Sequence, residues 1–208
     1  VRAMRRRGMR VQTFKVGPDF LDPTYLAAAS GRTCYNLDGW MTGRDYVRSL
    51  FARACGDADL AVIEGVMGLF DGAEADSLEG SSAQVAAWLD SPVLLVANAH
   101  GASRSLAAAV RGFASFEPSV RVAGVIANRC GSDRHVEGLR MSYVFYESGL
   151  SINVMYGIAE GGKRAVGFKL SQGMDVPEEL ATRFKFARQK SKLAGEIRGS
   201  FFVVKGEY

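Results

Sequence analysis

Four short, mostly apolar runs recur between Val11 and Asn128: Val11–Val16 (VQTFKV), Asp59–Glu64 (DLAVIE), Val93–Ala99 (VLLVANA) and Val120–Asn128 (VRVAGVIAN). Each has the length and apolar character of a strand covered on both faces. Stretches of helical character separate them: Pro23–Ser30, Gly43–Cys55, Ser81–Asp90 with Ser-Ser at its N-cap, and Ser103–Phe116. In the second of these, Tyr46, Val47, Leu50, Phe51 and Ala54 fall on one helical face. Strands alternating with helices predict an α/β fold, a parallel sheet flanked by helices on both faces. In such sheets ligands bind beyond the carboxyl ends of the strands, so the loop after each strand is where chemistry is expected.

Those loops are rich in carboxylates. After the first strand come Lys15, Gly17, Asp19 and Asp22, in the stretch VGPDFLDP. The second strand ends in EGVMGLFDG, which puts Glu64 at its tip and Asp71 in a loop with Gly65, Gly68 and Gly72. The fourth ends in Asn128-Arg129. A carboxylate at the tip of an apolar strand is costly to leave unpaired. A magnesium ion, held by one or two carboxylates together with substrate phosphates, would make it useful. Each residue also has a plainer reading. Asp19 and Asp22 suit a turn and a helix N-cap, Asp71-Gly72 suits a turn, and Asn128 can cap a loop. Their joint occurrence at successive strand ends favours a site.

Charge and cysteine content narrow the function classes. The net charge is +4, but the basic residues are scattered among acidic ones rather than clustered with aromatics, which argues against nucleic acid. No apolar run approaches the roughly 18 residues of a membrane span, and the basic start VRAMRRRGMR lacks the apolar core of a signal peptide. Three widely spaced cysteines, Cys34, Cys55 and Cys130, fit a reducing cytoplasm. With only His100 and His135 beside them, a His/Cys metal site is close to excluded. Both histidines, together with Trp40 and Trp88, read as structural, and Arg5–Arg7 as the solvated face of a first helix.

The composition breaks near residue 140. Residues 1–140 hold fifteen arginines and the single lysine Lys15, whereas residues 141–208 hold six lysines and four arginines. Residues 1–140 are therefore read as one domain and 141–208 as an unassigned α+β tail, either completing the sheet or foreign to it. The tail suggests strands at Ser151–Tyr156, Ala165–Leu170 and Ser200–Lys205, with a helix near Pro177–Ala194. It also contains GIAEGGK, Gly157–Lys163, which matches G-x-x-x-x-G-K. Arg164 stands where Ser or Thr should bind magnesium, and a strand rather than a helix follows. A Gly-rich hairpin turn is the expectation.

The blocks VGPDFLDPTYL, EGVMGLFDG and VIANRCGSDRH resemble the amidotransferases that make cobyrinate or hydrogenobyrinate a,c-diamide. The resemblance runs from about residue 1 to about residue 140. It implies a synthetase domain similar to dethiobiotin synthetase, with a P-loop ATPase fold, acting in cobalamin biosynthesis. ATP would phosphorylate a peripheral carboxylate of a corrinoid, and ammonia from glutamine, released by a C-terminal glutaminase domain, would replace the phosphate. On that resemblance Asp19, Asp22, Glu64 and Asp71 are catalytic, Asp19 and Glu64 hold Mg²⁺, and Lys15, Gly17 and Tyr25 serve the substrate. Asn128 recognises the adenine edge.

The same resemblance places a P-loop upstream of Val1 and a glutaminase domain downstream. Neither motif lies within these residues, so this chain alone is expected to have little or no synthetase activity. The alternative is a non-catalytic module that keeps the fold and binds a corrinoid or a partner. A different P-loop relative, such as dethiobiotin synthetase or a partition-type ATPase, matches the blocks less well. Oligomeric state stays open, with a homodimer among the arrangements.

Overall fold

Val11–Val16 forms strand β1, and all six residues are buried, including Gln12, Thr13 and Lys15. Buried polar groups need partners, and these have them. Gln12 Nε2 donates to Thr33 O at 2.7 Å, Gln12 Oε1 accepts from Arg32 Nε at 2.9 Å, and Thr13 Oγ1 lies 3.3 Å from Ser30 Oγ. Such burial marks a central strand. β1 lies between β2 (Tyr35–Leu37) and β3 (Leu60–Glu64), parallel to both, in a computed structural model that describes residues 1–144, 150–158, 164–172 and 200–206.

The chain divides into two units, Val1–Val93 with Phe186–Lys205 and Leu94–Lys185 with Gly206–Tyr208. In the first, the strand order is β2-β1-β3-β8, where β8 is Ser200–Gly206 and pairs parallel to β3 with Ala61 opposite Ser200. Its helices are α1 (Arg2–Arg5), α2 (Asp22–Ser30), α3 (Gly39–Ala54) and α4 (Ser82–Trp88). Phe14, Leu37, Phe51, Ile63, Leu69 and Leu89 form its core, with the Phe14 and Phe51 rings 5.1 Å apart. Ser81 caps α4 by accepting from Gln84 N at 3.1 Å, as the Ser-Ser pair predicts.

The second unit contains β4 (Val93–Asn98) from Leu94 onward, α5 (Arg104–Phe116), β5 (Val122–Cys130), α6 (Asp133–Val144), β6 (Leu150–Ile158) and β7 (Arg164–Gln172), with strand order β4-β5-β7-β6. Leu95, Leu106, Val110, Val125 and Leu139 are buried there. β6 and β7 pair antiparallel with Ile158 opposite Arg164, so a strand rather than a helix follows Lys163, while the hairpin turn expected in GIAEGGK lies outside the described residues. β7 also runs antiparallel to β5. The parallel pattern holds among β1, β2, β3 and β8, whereas the tail adds antiparallel pairs. Among the described residues no helix is long and apolar enough to cross a membrane.

Three expectations need adjustment. β2 is absent from the sequence reading, because three residues (YNL) are too few to show a period. The helix expected to start at Gly43 starts at Gly39, where Asp38 caps it by accepting from Met41 N at 3.0 Å. Gly43 instead sits inside it with φ 76°, a break that glycine tolerates. Tyr46, placed on the buried face, is 51% exposed, while Val47, Leu50 and Phe51 are buried. The helix expected near Pro177–Ala194 lies outside the described residues.

Candidate functional site

The carboxyl end of β1 carries Lys15, whose side chain is only 6% exposed. Its ammonium donates to Asp22 Oδ2 at 2.8 Å and to Gly65 O at 3.2 Å. Two further carboxylates approach it, Glu64 Oε1 at 3.7 Å and Asp19 Oδ2 at 3.9 Å. The register explains the meeting. Lys15 lies opposite Glu64 on β3 and opposite Asn36 on β2, so all three project from the same face of the sheet.

The loop after β1 is built to aim its acids. Gly17 adopts φ 78°, which an L side chain would strain, and its amide donates to Leu37 O at 3.1 Å. Asn36 Nδ2 donates to Gly17 O at 2.8 Å and to Asp19 O at 2.5 Å, pinning the turn from β2. Asp19 Oδ1 accepts from Leu21 N at 2.8 Å and from Asp22 N at 3.1 Å, at the start of α2. These backbone bonds, with help from Lys15, hold the Asp19 carboxyl below its ordinary range. The turn reading and the site reading of Asp19 therefore coexist: one oxygen holds the turn, the other faces Lys15.

Glu64 is half-buried, and burial pushes its carboxyl up; Lys15 opposes that rise, while Asp22 and Asp19 add to it. Three carboxylates around one ammonium leave two negative charges when all are ionised. That excess suits a divalent cation or a cationic group of a ligand. Among the described residues no three His, Cys, Asp or Glu side chains are placed to hold a metal by themselves. Magnesium asks for less, because one or two carboxylates suffice when phosphate and water complete the shell. Asp19 and Glu64 have the chemistry for that partial seat.

The loop after β3 is anchored at its start by Ser82, fully buried, which accepts from Val66 N at 2.9 Å and donates to Val66 O at 3.1 Å. Asp71 is exposed and lies over Gly68, whose missing Cβ leaves room for its carboxylate. It is not part of the Lys15 ion-pair set. Tyr25 is 69% exposed on α2. Asn128 belongs to the second unit. Its side chain is exposed and accepts from Arg129 N at 2.9 Å, while its carbonyl accepts from Ala99 N at 2.8 Å. Sequence reasoning missed Asn36 and Ser82. Asn36 was recoverable only through the β1–β2 register; Ser82 looked like a cap residue and carries no other signal.

The fold is α/β, and the buried lysine ringed by acids stands at the carboxyl ends of its parallel strands, the edge where ligands bind in such sheets. Comparison with known proteins is narrower. The cobyrinate a,c-diamide synthase of Syntrophotalea carbinolica is 66% identical over 137 residues, which are 66% of this chain and 30% of that protein. The synthase of the same name from Leptospira interrogans is 47% identical over 137 residues, again 66% of this chain and 30% of that protein. The hydrogenobyrinate a,c-diamide synthase of Streptomyces coelicolor is 49% identical over 138 residues, 66% of this chain and 28% of that protein. Curated homologues of this chain are thus a,c-diamide synthases, and the chain spans about 30% of their length. A family model described as a domain of unknown function (DUF8821) matches residues 125–204. No solved structure matches the chain significantly.

Proposed function

We propose that residues 1–140 are part of the synthetase portion of a glutamine-dependent corrinoid a,c-diamide synthase, with a P-loop-like α/β fold, working in the cytoplasm. Residues 141–208, whose strands β7 and β8 pair with β5 and β3, extend the sheet and have no assigned role. The observation that carries this reading is the Lys15 cluster, with Asp22 at 2.8 Å and Glu64 at 3.7 Å. It lies in a chain that matches a cobyrinate a,c-diamide synthase at 66% identity.

In this reading a carboxylate oxygen of the corrinoid attacks the terminal phosphorus of ATP, and ADP leaves. Ammonia then attacks the carbonyl carbon of the acyl phosphate, and inorganic phosphate departs with the carboxylate oxygen. Such transfer relies on positioning and on neutralising charge. Lys15 supplies a fixed positive charge for the phosphate or the attacking carboxylate. Asp22 fixes the lysine's direction, and with Asp71 positions the reacting carboxyl group. Asp19 and Glu64 would hold Mg²⁺, which supplies charge neutralisation of the phosphates when bound. Gly17 lets the backbone pass close to the ligand, and Asn128 reads the adenine edge.

The test is a segment exchange. Residues 1–140 replace the matching segment of the Syntrophotalea carbinolica synthase, and amide formation on cobyrinic acid is followed by mass spectrometry. Glutamine- and ATP-dependent diamide formation is expected. A folded, assembled exchange protein that makes no amide contradicts the reading.

A further inference from the structure

His135 is partly buried in the first turn of α6, and both of its ring nitrogens bond to backbone. Nδ1 accepts from Gly131 N at 3.2 Å, in the loop after β5. An amide nitrogen only donates, so Nδ1 carries no hydrogen and the neutral ring carries it on Nε2. That nitrogen donates to Ala102 O at 2.5 Å, in the loop after β4. One imidazole thus ties together the loops that leave the carboxyl ends of two neighbouring strands. Gly138, one turn further along α6, permits the close approach: a Cβ there would come 3.2 Å from Ser103 Oγ. The start of the helix does not need the ring, because Ser132 Oγ already accepts from His135 N at 3.2 Å.

Asn128 stands inside the circuit that these bonds close. Its carbonyl accepts from Ala99 N at 2.8 Å, and Ala99 O accepts from Ala102 N at 3.2 Å. Ala102 O leads through the ring of His135 to Gly131, just beyond the end of β5. Within the circuit the backbone is strained. Arg129 has φ 61°, unfavourable for a residue with a Cβ, and the β5–β7 register shifts between Ala127 and Cys130. Such conformations persist where their surroundings hold them, and they cluster at functional positions.

We propose that His135 is a positioning residue for Asn128: its imidazole clamps the two loops and fixes the direction in which the asparagine leaves the bulge. The clamp itself is independent of the function proposed above. That the group Asn128 is aimed at is the adenine of ATP rests on that reading.

Two measurements test this. In the full chain, amide hydrogen exchange of His135→Ala is compared with that of the parent. Exchange at Ala99 and Gly131 at least roughly tenfold faster, with the strand amides of β4 and β5 unchanged, is expected. His135→Gln, whose amide can still donate to Ala102 O, should protect Ala99 better than His135→Ala does. Parental exchange at both positions overturns the clamp, and so does faster exchange throughout the chain, the mark of a merely structural histidine. In the exchange protein carrying residues 1–140, His135→Ala should raise KM for ATP roughly tenfold and leave kcat and KM for cobyrinic acid within about twofold. In an Asn128→Ala background the same substitution should add little, because the residue it positions is gone. Additive effects, or a fall in kcat with KM for ATP unchanged, overturn the positioning role. An exchange protein that makes no amide even with His135 intact refutes the proposed function, and hydrogen exchange then decides the clamp.

Discussion

The Lys15 ammonium donates to Asp22 Oδ2 at 2.8 Å, tying the end of β1 to the first turn of α2. One member of this pair is buried and the other is 42% exposed, so its worth lies between that of a surface pair and that of a fully buried one. Asp22→Asn is expected to cost about 1–2 kcal/mol in urea unfolding at neutral pH. Lys15→Met costs more, because it leaves three carboxylates facing one another. A Lys15→Met protein as stable as the parent would contradict the central place given to this lysine.

Glu64 and Asp19 set opposite pH dependences. Burial pushes the Glu64 carboxyl above its ordinary 4.5, so the folded chain holds that proton more tightly than the unfolded one. Its contribution is full below 4.5 and is lost as pH rises through the raised value. Asp19, held below 3.8 by backbone hydrogen bonds, contributes above 3.8 and loses that contribution as pH falls through its depressed value. Glu64→Gln should therefore raise stability at neutral pH and flatten the decline above 4.5. Asp19→Asn should flatten the acid limb below 3.8. Urea midpoints measured from about pH 3 to about pH 7 check both. An acid kept at a cost to stability is what a functional site leads one to expect.

Gly68 and Gly72 of the loop after β3 are not equivalent. A Cβ on Gly72 would overlap the backbone carbonyl oxygen of Glu79, which already accepts from Ala73 N at 2.7 Å, and backbone cannot swing aside. A Cβ on Gly68 would meet only the Asp71 carboxylate, the mobile end of a side chain. Gly72→Ala should thus lower the unfolding midpoint clearly more than Gly68→Ala. Gly68→Ala should act chiefly by displacing Asp71. Equal midpoints for the two variants would count against this loop geometry.

Cysteine reactivity should be graded. Burial pushes the Cys55 thiol up to about 12 and leaves it without thiolate at neutral pH. Cys34 is half-buried, and burial raises its thiol as well. In native protein, a disulfide reagent should label Cys34 before Cys55, with Cys55 reacting only on unfolding. Early labelling of Cys55, located by peptide mapping, would contradict its position in the core.

β1, β3 and β4 were legible because each is a run of apolar residues bounded by turn signals, and β6 and β7 because their flanks are glycine-rich. β2 was not, since Tyr35–Leu37 is fixed by pairing with β1 rather than by any period of its own. Gly43 hid the first turn of α3 for a similar reason, its tolerance of positive φ being invisible in a pattern of apolar spacing. At the site, Asp19, Asp22 and Glu64 could be picked out as strand-end acids. Lys15 could be picked out beside them, but not its place as their hub, because its burial among them depends on register across β1 and β3. The support from Asn36 was hidden by the same cause.

The proposed function has the Lys15, Asp22 and Glu64 cluster position a corrinoid carboxylate for phosphoryl transfer from ATP, with ADP leaving. It is tested most directly by following heavy-oxygen label from the carboxylates of cobyrinic acid in the exchange protein carrying residues 1–140. The account predicts one labelled oxygen in inorganic phosphate for each amide formed, and little transfer when the segment carries Glu64→Gln. Amide without label in phosphate, or label transfer undiminished by Glu64→Gln, would contradict it.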